Sequence, residues 1–329
     1  MISGYYSLSW AWVPMLHIAT EGKRMLRYFM FPGLLVILIL PLSATAALRV
    51  FACEPEWGAL VSELAGDKAR VDMGSRPGQD PHYVQARPSL ISKVRRAELL
   101  VCTGAGLEAG WLPVLLRKGS NKRILAGQAG HLMIASTIQL KEKPAKLDRS
   151  EGDVHAAGNP HLQTDPRNML PAAAAITDRL VQLDADNADV YQNNLAVFKV
   201  RWQQAIDAWQ RKAAPLSGMP VVVYHRSWVY LQDWLGLKEV ASLEPKPGIP
   251  SGSRYLADVL NRTQGFTNLV IIHSQYQESK AIEWFSGKSG APVVMLPSTV
   301  GGTAEAEDLF SWYEDIIRRL LKAHGGGNE

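Results

Sequence analysis

Three histidines stand in turn-prone segments: His82 in GQDPHYVQARPS, His161 in AGNPHLQTDP and His225 in YHRSWVY. Each lies at the edge of a strand-like run or a helical pattern, where an imidazole can be aimed into a shared cleft. One such histidine is ordinarily a hydrogen-bonded core residue, but three in like settings point to a common metal ion. Neutral imidazole suits Zn²⁺ in tetrahedral geometry at about 2.0–2.1 Å, whereas Mn²⁺ prefers carboxylate oxygens. The expected ion is therefore Zn²⁺, with Mn²⁺ second and copper also open. Asp80, Asp165, Ser227 and Glu244 are placed to hold imidazole tautomers. Each also fits a cap or a turn, and Asp165 before Pro166 has the form of an N-cap.

These residues fall between elements that alternate in a regular way. The runs LRVFA, ARVDM, ELLVC and KRILA read as strands, with helices near residues 56–65 and 88–96 between them. Strands separated by helix-length segments imply βαβ units and a parallel sheet. A polar stretch at 139–159 lacks apolar periodicity and reads as a surface loop. Helical pattern then continues from Pro166 almost to Pro215. There Val190, Leu195, Phe198, Val200, Trp202, Ile206 and Trp209 fall roughly at helical spacing. PVVVY, KEVASL, NLVII and PVVML repeat the α/β alternation, with helices near 228–235, 253–260, 280–285 and 306–323.

The expected fold class is α/β, two parallel-sheet lobes joined by one long rigid helix. The first lobe spans 47–186, the linking helix 187–214 and the second lobe 215–329. In open α/β sheets ligands bind beyond the carboxyl ends of strands, so the metal site belongs in the cleft between the lobes. Trp228, Tyr230 and Trp234 read as core, His131 as structural, His324 as part of a frayed tail and His17 as part of a leader.

A chain of 329 residues, 47% apolar and 20% charged, is long enough for two globular domains. Its beginning is different in kind. Lys23, Arg24 and Arg27 precede FMFPGLLVILILPL and then Ala44-Thr45-Ala46, the layout of a signal peptide cleaved after Ala46. The apolar run is short for a membrane span and holds two prolines. Residues before Met25 read as an upstream extension, so 1–46 carries no fold information. Without it, 32 basic residues face 30 acidic ones, which gives no case for nucleic acid. No cysteine stands at the cleavage site to carry a lipid, so a free periplasmic protein is expected. Cys53 and Cys102 each end a strand-like run and are read equally as a disulfide or as two buried thiols.

DPHYVQARPS, GAGLEAGWL, GNPHLQTDP and VVVYHRSWVYL, in that order, resemble the zinc- and manganese-specific solute-binding proteins of bacterial ABC importers. The likeness spans nearly the whole mature chain. It implies a metal between two lobes, His82, His161 and His225 as ligands, and an ABC permease in the inner membrane as partner of a monomeric carrier. Manganese-binding relatives tend to have a carboxylate at the third position, so His225 again favours zinc. The family's usual fourth ligand is an aspartate in the loop after the last strand, but here LPSTVGGT puts Ser298 and Thr299 there. His273 in IIHSQYQES, where the family often has glutamate, is the expected replacement, with water or Glu278 as alternatives. His155, in GDVHAAGN, reads as a solvated loop residue ahead of a transient metal-capturing one. Two rival functions remain: a secreted metal chaperone, and a zinc-dependent hydrolase with Glu244 as its base. The chain has neither HExxH nor GxSxG, so it is read as no enzyme.

Overall fold

Short apolar runs separated by helix-length segments form two four-stranded sheets in which every pairing is parallel. The computed structural model describes residues 46–144, 152 and 155–325. The expected leader thus lies outside the described residues except for Ala46. No helix among the described residues is long and apolar enough to cross a membrane.

The first lobe runs β1 (Leu48–Ala52), α1 (Pro55–Ala65), β2 (Ala69–Met73), α2 (Pro88–Arg96), β3 (Leu99–Cys102), α3 (Leu112–Gly119) and β4 (His131–Met133). Two helices, α4 (Met169–Leu183) and α5 (Ala188–Ala213), lead to the second lobe. That lobe holds β5 (Pro220–Val223), α6 (Val229–Leu235), β6 (Lys238–Ser242), α7 (Ser253–Thr263), β7 (Val270–Ser274), α8 (Ser279–Ser289), β8 (Val293–Leu296) and α9 (Leu309–His324). The strand orders are β2-β1-β3-β4 and β6-β5-β7-β8, one design used twice.

Alternation along each strand decides what every residue faces. Val50, Ala52, Leu99 and Val101 join an inner core with α1, α4 and α5, while Phe51, Leu100, Cys53 and Cys102 face α2 and α3. Cys53 and Cys102 form a disulfide in that outer layer. In the second lobe Val221, Val223, Val270 and Ile272 face the inner core, and Val222 and Ile271 face α7 and α8. The inner layers of both lobes form one continuous core.

Helix α5 has 26 residues, about 39 Å at 1.5 Å per residue. Its buried stripe is Tyr191, Leu195, Phe198, Trp202, Ile206, Trp209 and Ala213. Val190 and Val200, counted on that stripe in the sequence, are exposed instead, Val200 at 59%. Trp202 stacks on Phe198 at 5.1 Å, meets Tyr313 of α9 edge-on at 5.5 Å, and donates its Nε1–H to the Pro166 carbonyl at 2.8 Å.

KRILA is not a strand. Lys122–Ile124 forms a 3-10 turn, and His131–Met133 is the fourth strand. The Asn121 side chain accepts from Arg123 N and donates to the Val94 and Ala97 carbonyls, the local competition for backbone groups that breaks strands. The last helix starts at Leu309 rather than 306 because Asp308 and Ser311 form a reciprocal cap.

Beyond the helices, a buried carboxylate joins the lobes: Glu56 of α1 accepts a 2.5 Å hydrogen bond from Thr299 Oγ1, in the loop after β8. Burial pushes the Glu56 carboxyl up from 4.5 to about 7, against the opposing hydrogen bond from Thr299. Glu54 and Glu108 beside it are raised as well, each chiefly by burial.

Two outcomes follow for stability. Trp202→Ala should cost about 3–5 kcal/mol in denaturant unfolding, because a filled aromatic site becomes a cavity. Glu56 carries a proton in the fold that the unfolded chain releases between 4.5 and about 7. Its contribution is therefore full below 4.5 and is lost as pH rises through 7. Glu56→Gln keeps an acceptor for Thr299, so its thermal midpoint should gain on wild type between about pH 5 and 8. Parallel pH profiles for the two proteins would refute the assignment.

Candidate metal centre

His82 lies in the loop between β2 and α2, which is tied down by a 2.8 Å hydrogen bond from Trp111 Nε1 to the Pro81 carbonyl. Its backbone N–H donates to Asp80 Oδ1 at 2.9 Å, and its Nδ1 meets the same oxygen at 2.8 Å. An ionised carboxylate only accepts, so Nδ1 carries the proton and Nε2 keeps a lone pair. Burial works against ionising Asp80, but the hydrogen bonds it accepts from His82 and the electrostatic attraction of that ring outweigh it and hold the carboxyl below its ordinary value.

His225 follows β5 and repeats the device: its Nδ1 is 2.7 Å from Glu244 Oε2. Glu244 also accepts from the Gly248 N–H at 3.2 Å. The Nε2 of His225 is thereby left with a lone pair too.

His161 is 2% exposed and opens the 3-10 turn Leu162–Thr164. Asn159 couples it to His225. The Asn159 Oδ1 accepts the His161 backbone N–H at 3.0 Å, and its Nδ2 donates to the carbonyl of Arg226, next to His225, at 2.8 Å. Tyr230 of α6 donates its hydroxyl to the Asn159 carbonyl at 2.7 Å. The sequence reading passed over Asn159, though its place two residues before His161 is an Asx-turn signal.

The three rings converge. Centroid separations are 5.3 Å for His82 to His161, 5.4 Å for His161 to His225 and 5.9 Å for His82 to His225. One ring nitrogen from each lies within 4.8 Å of the others. Tetrahedral ligands at 2.0–2.1 Å from an ion stand about 3.3–3.4 Å apart, so modest side-chain adjustment closes the set around zinc. Within this group His161 Nε2 is buried without a hydrogen-bond partner. Leaving such an atom unsatisfied costs about 1–3 kcal/mol, and a cation between the rings supplies the missing partner. Burial first, then the neighbouring His82, His225 and His155, hold the His161 imidazole well below its usual 6.5, so it is neutral and able to ligate.

His273 departs from the expectation that it faces this cleft. Among the described residues, the metal-capable group formed by His82, His161 and His225 does not include His273. On β7 the inner-core residues are Val270 and Ile272, so alternation sends His273 to the other face with Ile271, where its Nδ1 meets the Ser274 carbonyl at 3.0 Å. Glu278 is exposed at the start of α8. Ser298 is bonded to Gln275, and Thr299 to Glu56.

Of the four expected supporting groups, Asp80 and Glu244 do hold imidazoles. Asp165 binds Arg167 instead, through its backbone N–H and its guanidinium. Ser227 lines a cavity of about 20 Å³ together with His161, Glu54, Glu56 and Tyr276. Glu54 and Glu56 were overlooked in the sequence, although FACEPEWG places both just beyond the carboxyl end of a strand. His131 is structural, its Nδ1 2.9 Å from the Ile124 carbonyl. His155, read first as a solvated loop residue, has its Nε2 3.3 Å from that of His82.

Known proteins resemble this chain over most of its length. The family described as ZnuA, zinc-uptake complex component A, periplasmic, matches residues 50–323. The high-affinity zinc uptake system protein ZnuA of Yersinia pestis is 26% identical over 246 residues, covering 70% of this chain and 75% of its own. Its Bacillus subtilis namesake is 23% identical over 265 residues, covering 79% and 81%. The manganese ABC transporter substrate-binding lipoprotein PsaA of Streptococcus pneumoniae is 26% identical over 300 residues, covering 87% and 91%. A ZnuA crystal structure superposes with a TM-score of 0.68 at 21% identity, over 85% of this chain and 99% of that one. Such structural likeness speaks for the fold of two parallel-sheet lobes and a long helix. The family match, running from β1 into α9, carries the further conclusion that this chain belongs to the periplasmic zinc-uptake complex component A family.

Proposed function

We propose that the protein captures Zn²⁺ in the periplasm through His82, His161 and His225 and delivers it to an ABC importer in the inner membrane. The observation that carries this reading is the buried, partnerless Nε2 of His161, flanked by two imidazoles whose Nδ1 protons are engaged by Asp80 and Glu244. Such a set offers neutral nitrogen lone pairs and no carboxylate, which favours zinc over manganese. Relatives named for zinc uptake support the same ion, although the family also includes proteins named for manganese. The carrier is read as a monomer released by cleavage after Ala46, with lobes at 47–186 and 215–329 and the linking helix at 187–214.

A carrier is favoured over a hydrolase because Glu244, the candidate base, already accepts from His225 and Gly248. A general base needs its carboxylate free to reach a bound water.

Zinc titration against a competing chelator tests the reading. His82→Ala, His161→Ala and His225→Ala should each weaken zinc at least about a hundredfold, a loss near 2.7 kcal/mol, while His273→Ala leaves affinity unchanged. Ligands must be neutral, so affinity should fall as pH drops below about 6.5. His161, held neutral by burial, adds to that loss only at lower pH. Zinc affinity that stays constant from pH 7 to 5, or that survives all three substitutions, refutes the site. Growth of a deletion strain under zinc chelation reads the delivery step.

A further inference from the structure

Three imidazoles leave one corner of a tetrahedron open, and neither Ser298, Thr299 nor His273 is placed to fill it. His155 is. Its Nε2 lies 3.3 Å from the Nε2 of His82, with ring centroids 5.4 Å apart. That separation equals the spacing of about 3.3–3.4 Å between two ligand atoms on one tetrahedral zinc ion. His82 has committed its Nδ1 proton to Asp80, so the atom His155 approaches is the one already proposed to ligate.

Two further observations place His155 beside the three histidines. It lines the wide cleft of about 530 Å³ that His161 and His225 also line, and the adjoining recess of about 280 Å³ beside His82. It therefore stands where the three other rings meet solvent. The loop after β3 is also shaped to receive it. Gly106 has φ +93°, and a Cβ there would stand 3.1 Å from His155 Nδ1. Glycine both permits that backbone and leaves room for the ring.

We propose that His155 is the fourth zinc ligand of this chain, binding through Nε2 and completing a four-imidazole site in place of a carboxylate. The proposal rests on the zinc reading of His82, His161 and His225. In the structure His155 falls outside the trio whose nitrogens lie within 4.8 Å of one another, so zinc binding includes rotation of its side chain toward His161 and His225. The competing account is a plain hydrogen bond from His155 to His82, which leaves zinc with three imidazoles and a water.

X-ray absorption at the zinc edge separates the two accounts, using the full mature chain loaded with one equivalent of zinc. Wild type should show four imidazoles. His155→Ala and His155→Gln should each show three, with zinc affinity at least about tenfold weaker and an unchanged unfolding midpoint for the metal-free protein. An equal imidazole count in wild type and both variants overturns the proposal, as does weakened affinity without loss of an imidazole. His82→Ala is the control for the underlying reading. If it binds zinc as wild type does, the three-histidine site fails and the His155 ligand with it. If His82→Ala loses zinc while the His155 variants keep the wild-type spectrum, only the His155 proposal fails.

Discussion

Three imidazoles with centroids 5.3–5.9 Å apart can share one metal ion only when each turns a neutral nitrogen lone pair toward it. Protonated rings at that distance would repel strongly, and the more so where burial excludes water. Two devices serve that arrangement. Asp80 and Glu244 accept hydrogen bonds from Nδ1 of His82 and His225, which fixes the orientation of both rings, and burial keeps His161 unprotonated. The rest of the molecule can be read as the support this arrangement requires.

That support reaches the inner core through few atoms. The Asn159 side chain fixes the backbone at His161 and at Arg226, and Tyr230 of α6 anchors Asn159 in turn. Past His161, the Pro166 turn is gripped by Trp202 of α5, whose ring packs against α9. Because α5 buries a stripe along its whole length between α1, α4 and α9, bending it would break packing at several levels at once. The lobes are further joined through Glu56 and Thr299. The proposed ligands therefore arise from mobile-looking turn sequences, yet those of His161 and His225 are tied to the continuous inner core and that of His82 to the outer layer through Trp111.

Periodicity made α5 visible in the sequence to within a residue or two, since a buried stripe on a long helix repeats at fixed spacing. The same rule misjudged Val190 and Val200, because spacing defines a helical face only approximately and what packs against it sets the width. The strand-end rule located His82, His161 and His225. Applied to His273 it failed: position along a strand is legible, but the face depends on register with a sheet, and one residue reverses it. KRILA was misread because Asn121 satisfies the local backbone groups that a strand would have paired.

Residue types and their order thus determined the alternating α/β design, the long helix and the three histidines, because each is written in local pattern. Which nitrogens face inward, how Asn159 links the two loops, the burial of Glu54 and Glu56, and the approach of His155 to His82 were decided by tertiary structure alone. They depend on distances between segments far apart in the chain, as from His82 to His225 or, at a separation of 243 residues, from Glu56 to Thr299, and no local pattern encodes such distances. Asp80 and Glu244 belong between the two cases. The sequence nominated both beside Asp165 and Ser227, and only their carboxylate contacts with His82 and His225 singled them out.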